Sequence, residues 1–220
     1  MLDPWYDRYE SQCWYKNTYL VQEPNQISQV IKGDKEWNNI YGSGCNFVCL
    51  SMILGVNPAY LSSALMEKNG YFEEDKRLKS KNLKNNSTLL VWDQNKPNKH
   101  LKEVTLKKIH HPVKGVSDVT IKFEKVEFEN DIVKAKILIA KHKSDGKHII
   151  CGHEDHSRLV AGTNKGEYFL WDPDLDSTDL EKNLAGDHSL EWFYELYSKE
   201  DEYINKKAQY WIYSIIFDDV

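Results

Sequence analysis

Residues 45–54 read CNFVCLSMIL, a run that is apolar nearly all round. A helix without a polar face must lie in the core of a globular protein. The preceding residues 37–44 (WNNIYGSG) combine glycines, asparagines and a serine, which favour a turn, and Gly55 is a typical helix end. The stretch therefore predicts a buried helix that begins at Cys45.

A second helix is predicted directly after the first. Pro58 suits the first turn of a helix, Leu61 and Leu65 are spaced one turn apart, and the Asn-Gly pair at 69–70 is a helix-stop signal. The two helices would form a helical hairpin. The first part of the chain, up to about residue 92, is therefore predicted to be mainly helical.

The second part, about residues 93–220, is rich in short β-like runs bounded by Gly, Asn, Asp or Pro, which favour an antiparallel sheet. SLEWFYELYS (189–198) predicts a helix, and QYWIYSIIF (209–217) predicts a last strand. A helical part packed on a sheet-rich part predicts an α+β fold in a single domain, 1–220. The remaining predicted strands lie in the runs LLVWD, EVTLKKI, VTIKFEKVEF, AKILIA, KHIICG, SRLVAG and EYFLWD.

The composition fits one packed globule and excludes some classes of function. The chain has 220 residues, of which 40% are hydrophobic and 12% aromatic, enough for one substantial core. A net charge of −5 argues against a general nucleic-acid binder, which needs concentrated Lys and Arg. Because no secretion signal and no membrane-spanning apolar run is visible, we expect a cytoplasmic protein without a membrane span.

The four cysteines show no disulfide framework, so reduced thiols are expected. A thiol at a helix N-terminus is a better nucleophile, because the helix dipole and unpaired backbone N–H groups stabilise its thiolate. Cys45 is predicted at such a position, and the glycines just before it leave room for a substrate. The simpler alternative is a small apolar residue of a core helix. The other three are Cys13, Cys49 and Cys151.

A histidine and a carboxylate are predicted to meet at one end of the sheet. His156 precedes SRLVAG, a turn follows, and EYFLWD ends on Asp172. Strands of equal length about a short turn bring the start of the first beside the end of the second. Asp172 would then orient the imidazole of His156 and leave one ring nitrogen for a thiol. His148 and His153 are alternatives for the base if the strand register is shifted.

GSGCNFVCLSMILG followed by HSRLVAGTNKGEYFLWDPD resembles the papain-like cysteine peptidases of the bacteriocin double-glycine processing type, including stand-alone bacterial and prophage members. The resemblance implies a papain-like α+β fold and peptidase activity on a peptide or protein. It also implies Cys45 as nucleophile, His156 as base and Asp172 as the residue that orients the histidine. No cofactor is expected.

The sequence departs from that family at two positions. Family members usually carry a glutamine six residues before the cysteine, where its amide helps to bind the oxyanion, and Asn39 stands there in this chain. Asn46 follows the cysteine where glycine is common. Asn39 is therefore the predicted oxyanion donor, with Asn46 as a further amide. These departures leave two alternatives, an inactive binding module with a peptidase fold, or other Cys/His amide chemistry on isopeptides or cell-wall peptides, including acyl transfer.

Two metal sites are weaker alternatives. Cys151, His153 and His156 offer three zinc-ligand types within six residues, but no fourth ligand with standard spacing accompanies them. The acidic run that begins at Asp172 and continues at Asp174 and 176 resembles the start of a calcium loop, but it lacks the required glycine and glutamate. We predict no metal site.

Overall fold

The computed structural model describes residues 1–3, 5–6, 9–11, 14, 45–61, 92–93, 99–100, 103–111, 114–128, 131–153, 156–174, 188–199 and 207–218. Its helices are α1 (Cys45–Leu54), α2 (Ile132–Ser144) and α3 (Leu190–Lys199), and a further helical turn begins at Pro58. The predicted start of α1 at Cys45 and of the next helix at Pro58 are both confirmed. Most of the second predicted helix lies outside the described residues.

The strands form one large antiparallel sheet and a separate two-stranded pair. In the large sheet the spatial order is β3-β4-β8-β5-β6-β7, and every neighbouring pair is antiparallel. Helices combined with an antiparallel sheet confirm the predicted α+β class. The strands are β1 (Trp92–Asp93), β2 (Lys99–His100), β3 (Glu103–His111), β4 (Gly115–Phe128), β5 (His148–Gly152), β6 (Ser157–Asn164), β7 (Glu167–Trp171) and β8 (Ala208–Asp218).

The two faces of the large sheet bury different helices, because successive strand residues point to opposite sides. Leu159 and Trp171 belong to the same core as α1, whose residues are all buried. Val160 and Leu170, their neighbours in sequence, belong to a second core with residues of α2 and α3. None of the described helices is long and apolar enough to cross a membrane.

The predicted strand at AKILIA (135–140) is wrong, because this run lies inside α2. Asp131 caps the helix: its side chain accepts hydrogen bonds from the backbone N–H groups of Val133 and Lys134. Ala135 and Ile139, one helical turn apart, face the core. The cap lies outside the apolar run, so the run by itself resembled a buried strand.

The hairpin of β6 and β7 has the predicted short turn. Lys165 and Gly166 form it, with φ angles of 51° and 90°, the left-handed pair that a two-residue hairpin turn needs. A bulge shifts the register between Val160 and Gly162. Leu2 pairs with Gly162 there, so the chain start lies against the bulged strand.

Candidate active site

Cys45 is the first residue of α1, and its thiol forms a hydrogen bond with His156. Burial alone would raise the pKa of the Cys45 thiol, but the hydrogen bond and charge of His156, with the backbone amide of Ser157, lower it below its ordinary value. The residue is only 4% exposed. Cys45 is therefore buried in this conformation, and a peptide can reach its sulfur only after neighbouring groups move.

His156 lies at a tight connection between β5 and β6. The backbone N–H of His153 donates to the carbonyl of His156 at 3.0 Å. A Cβ atom added to Gly152 would lie 2.2 Å from the same carbonyl oxygen, closer than any side chain tolerates. Glycine at position 152 therefore allows the close approach that fixes the backbone of His156 beside α1.

Asp172 follows directly after β7 and binds the imidazole of His156. The distance between His156 Nε2 and Asp172 Oδ1 is 2.6 Å, which leaves Nδ1 of the ring for Cys45. Burial alone would lower the pKa of His156, but the charge and hydrogen bond of Asp172 raise it to about 9. Burial would likewise raise the pKa of Asp172, but the charges of His156 and Arg158 hold it well below its usual range. The structure thus brings Cys45, His156 and Asp172 into one hydrogen-bonded chain.

Arg158 is a residue of this site that sequence reasoning missed. Its Nε donates to Asp172 Oδ2 at 2.6 Å, and it is buried to the same degree as its partner. The sequence placed Arg158 in the same predicted hairpin as Asp172, on the strand opposite it. The pairing of Leu159 with Trp171 places Arg158 opposite Asp172.

The alternative histidines lie elsewhere. His148 Nδ1 is 3.0 Å from the hydroxyl of Tyr6, and its ring packs against Trp5. His153 stacks on Phe193 of α3, with ring centroids 5.0 Å apart. Neither histidine takes the place of His156 beside Cys45.

The other described cysteines are free thiols whose pKa values are raised, whereas that of Cys45 is lowered. Cys49, one turn along α1, lies 3.8 Å from the carbonyl of Ser157, and burial raises its pKa well above the ordinary value. Burial raises the pKa of Cys151 to about 12. Among these three thiols, only Cys45 is shifted toward the thiolate.

The predicted oxyanion donor, Asn39, lies outside the described residues. Asn46 is fully buried, and its Oδ1 accepts a hydrogen bond from the hydroxyl of Tyr213 at 3.1 Å. Its Nδ2 has no hydrogen-bond partner in the part of the chain that the structure describes. Asn46 is therefore tied by its oxygen to the sheet.

The described residues of the two metal motifs do not form ligand sets. Within the ranges described above, no group of three or more His, Cys, Asp or Glu side chains is arranged to hold a metal ion. Cys151 lies in the core beside α2 and α3, and Asp172 is engaged by His156 and Arg158. Residue 176 of the acidic run lies outside the described residues.

No protein-family model matches the sequence, and neither a curated protein nor a solved structure matches the chain.

Proposed function

We propose that the chain is a papain-like, thiol-dependent hydrolase, a cysteine peptidase that cleaves a peptide or related amide through an acyl-enzyme on Cys45. The observation that carries the proposal is the hydrogen-bonded chain from Cys45 through His156 to Asp172. The surroundings favour a thiolate on Cys45 and an imidazolium on His156, because the pKa of Cys45 is lowered and that of His156 is raised to about 9. This pairing supplies a nucleophile and an acid together.

In the first step, the Cys45 thiolate forms a bond to the carbonyl carbon of the substrate. The C–N bond then breaks, and the imidazolium of His156 gives its proton to the leaving amine. In the second step, neutral His156 takes a proton from water, whose oxygen attacks the thioester. The thiolate leaves, the acid product is released and His156 holds the proton again. Asp172 keeps the imidazole oriented throughout.

Trapping of the acyl-enzyme tests this proposal. The protein would be mixed with a panel of peptide amides, including peptides with Gly-Gly before the scissile bond and cell-wall peptides, then quenched in acid and weighed by mass spectrometry. We expect an acyl group on Cys45 and release of the amine. Cys49→Ser, the matched control one helical turn away, should behave like the wild type. Cleavage that persists in Cys45→Ser would overturn the proposal.

The alternative function is that of a peptide-binding module that keeps the fold without catalysis. The 4% exposure of Cys45 favours it, because a structural thiol needs no access to substrate. Such a module would bind a peptide with the same affinity in the wild type and in Cys45→Ser, and neither protein would turn the peptide over.

A further inference from the structure

The carboxylate of Asp172 is held at both oxygens. Oδ1 faces His156 Nε2 at 2.6 Å and also accepts the backbone N–H of Asp174 at 2.9 Å. Oδ2 accepts Nε–H of Arg158 at 2.6 Å. The carboxylate therefore bridges His156, which precedes β6, and Arg158, which lies in β6.

Arg158 is itself held in place from the other side. Its guanidinium carbon lies 5.4 Å from the ring centre of Trp192 and 5.6 Å from that of Phe193, both on α3. A buried guanidinium needs a counter-charge, and Asp172 supplies it. The side chain therefore connects α3 to the carboxylate of Asp172.

We propose that Arg158 is a positioning residue of the site: its Nε–H fixes the carboxylate of Asp172 so that Oδ1 faces His156. The proposal deepens the proposed function and rests on it for its catalytic meaning. Arg158 touches neither Cys45 nor His156 in any hydrogen bond that the structure describes, and it acts through Asp172. If Arg158 lost its Nε–H, the buried Oδ2 of Asp172 would lose this hydrogen bond. The carboxylate would then rotate or take up a proton.

Arg158 has two effects on His156 with opposite signs. Its hydrogen bond orients Asp172, which favours the imidazolium, while its positive charge disfavours it. Among the described residues, further titratable groups whose charges interact with this site are Cys45 and Cys49 on α1 and Cys151 on β5. Because those thiols are unchanged in Arg158 variants, the two effects can be separated at Arg158 alone.

A matched pair of variants separates them. In Arg158→Gln, the amide nitrogen stands the same number of bonds from Cα as Nε, so a donor remains and the charge is lost. In Arg158→Met, a methyl group occupies the place of Nε, so the donor and the positive charge are both lost. The two variants have similar length and the same charge, and only Arg158→Gln keeps an N–H donor at the place of Nε.

The readouts are the pKa of His156 by NMR titration and the rate of Cys45 alkylation by iodoacetamide. We expect Arg158→Gln to raise the pKa of His156 and to keep alkylation within a few-fold of wild type. We expect Arg158→Met to give a lower pKa than Arg158→Gln and alkylation slower by roughly tenfold or more, the effect of losing a hydrogen bond to a charged group. The same His156 pKa and the same alkylation rate in both variants would overturn the proposal.

If Arg158→Met does not fold, the wild type alone decides. Its Arg158 Nε–H should exchange slowly with solvent, and its nitrogen shift should follow the titration of His156. Fast exchange, as for an exposed arginine, would overturn the proposal. The His156 titration needs no substrate, so its outcome is separate from that of the acyl-enzyme experiment, and either proposal can fail while the other stands.

Discussion

Cys45 and Cys49 lie one helical turn apart, yet their surroundings shift the two thiols in opposite directions. Cys45 begins α1, where helix dipole and imidazolium both favour the thiolate. Cys49 lies deeper in the same core, and its pKa rises because burial penalises the charge. The position of Cys45 at the helix start could be predicted from the turn residues before it. His156 could be predicted as its partner, with His148 and His153 as alternatives, because the register of the strands decides which histidine lies beside Cys45.

The carboxylate of Asp172 controls the charge on His156. Asp172→Asn should lower the pKa of His156 from about 9 to its ordinary value of 6.5 or below, because the carboxylate charge that raises it is gone while burial and the charge of Arg158 remain. The imidazolium then disappears below neutral pH instead of near pH 9. NMR titration of the ring protons measures this shift. Asp174→Asn is the matched control and should leave it unchanged, since Asp174 contacts Asp172 through its backbone N–H.

The two asparagines near Cys45 are predicted to have different roles. Asn39→Ala should lower turnover on the order of a hundredfold with little change in substrate binding, as expected for a lost oxyanion donor. Asn46→Ala should instead cost roughly 1–3 kcal/mol of unfolding free energy, because it leaves the buried hydroxyl of Tyr213 unpaired. Urea unfolding and single-turnover rates measure the two effects.

Tyr213→Phe is the control for Asn46. It removes the hydroxyl that Asn46 binds, so Asn46→Ala should cost less in the Tyr213→Phe background than in the wild type. Full turnover in Asn39→Ala would assign the oxyanion to another donor.

At the scale of elements, the connection between β5 and β6 sets the position of His156. Gly152→Ala places a methyl group within 2.2 Å of the His156 carbonyl, so the backbone must move and the imidazole with it. We expect Cys45 alkylation in this variant to fall to the rate of His156→Ala. The measurement is the iodoacetamide rate of Cys45 by peptide mass mapping.

Gly166→Ala is the matched control for that prediction. Gly166 has a φ angle of 90° and open space around it, so alanine there is strained without touching the site. We expect a loss of roughly 1 kcal/mol in stability or somewhat more, with the alkylation rate of Cys45 retained. Equal loss of alkylation in the two variants would show that hairpin stability, and not the Gly152 contact, positions His156.

The elements that could be predicted are those with a local signal. The all-apolar run of α1 and the turn of the β6–β7 hairpin each carry their own pattern, and both predictions are confirmed. The strand predicted inside α2 failed because the deciding signal, the cap at Asp131, lies outside the apolar run. Arg158 was missed because an arginine beside a histidine resembles a solvated strand face until the opposite strand places Asp172 against it.

At the scale of the whole molecule, the start of the chain supports the site. The backbone N–H of Asp3 donates to the carbonyl of Ala161 at 2.9 Å, in the bulge of β6. The hydroxyl of Tyr9 donates to the carbonyl of Asp172 at 2.5 Å. No pattern in the first residues predicted this, because such contacts between distant segments depend on the assembled fold and leave no period in the sequence.

A buried cluster ties the chain start to the end of α2. Lys143 Nζ lies 2.7 Å from Asp3 Oδ2 and donates to the hydroxyl of Tyr6 at 3.2 Å. The Tyr6 hydroxyl therefore has its one proton left for His148 Nδ1, so His148 is neutral. Burial and the charge of Lys143 lower the pKa of His148 to about 3. Asp3 acts in the opposite direction and raises this pKa, whereas His111 lowers it further.

This cluster predicts a pH dependence of stability. The folded pKa of His148 is below its unfolded value, so its contribution is fully present above about pH 6.5 and is lost as pH falls from there toward 3. The loss is at most about 1.4 kcal/mol per pH unit. His148→Gln removes the contribution of the His148 titration to stability. The unfolding free energy of this variant, measured by urea unfolding, should therefore fall less steeply with decreasing pH than that of the wild type. The control, exposed His110→Gln, should keep the wild-type slope.

The most direct test of the central claim is the alkylation of Cys45 by iodoacetamide in the native protein, compared with that in His156→Ala. At about pH 6.5 a free thiol is almost wholly protonated, whereas a thiolate paired with an imidazolium reacts. We predict that in the wild type Cys45 reacts much faster than Cys49 and Cys151, and that His156→Ala slows Cys45 alone. Equal rates for Cys45 in the two proteins would contradict the account and remove His156 from the chemistry.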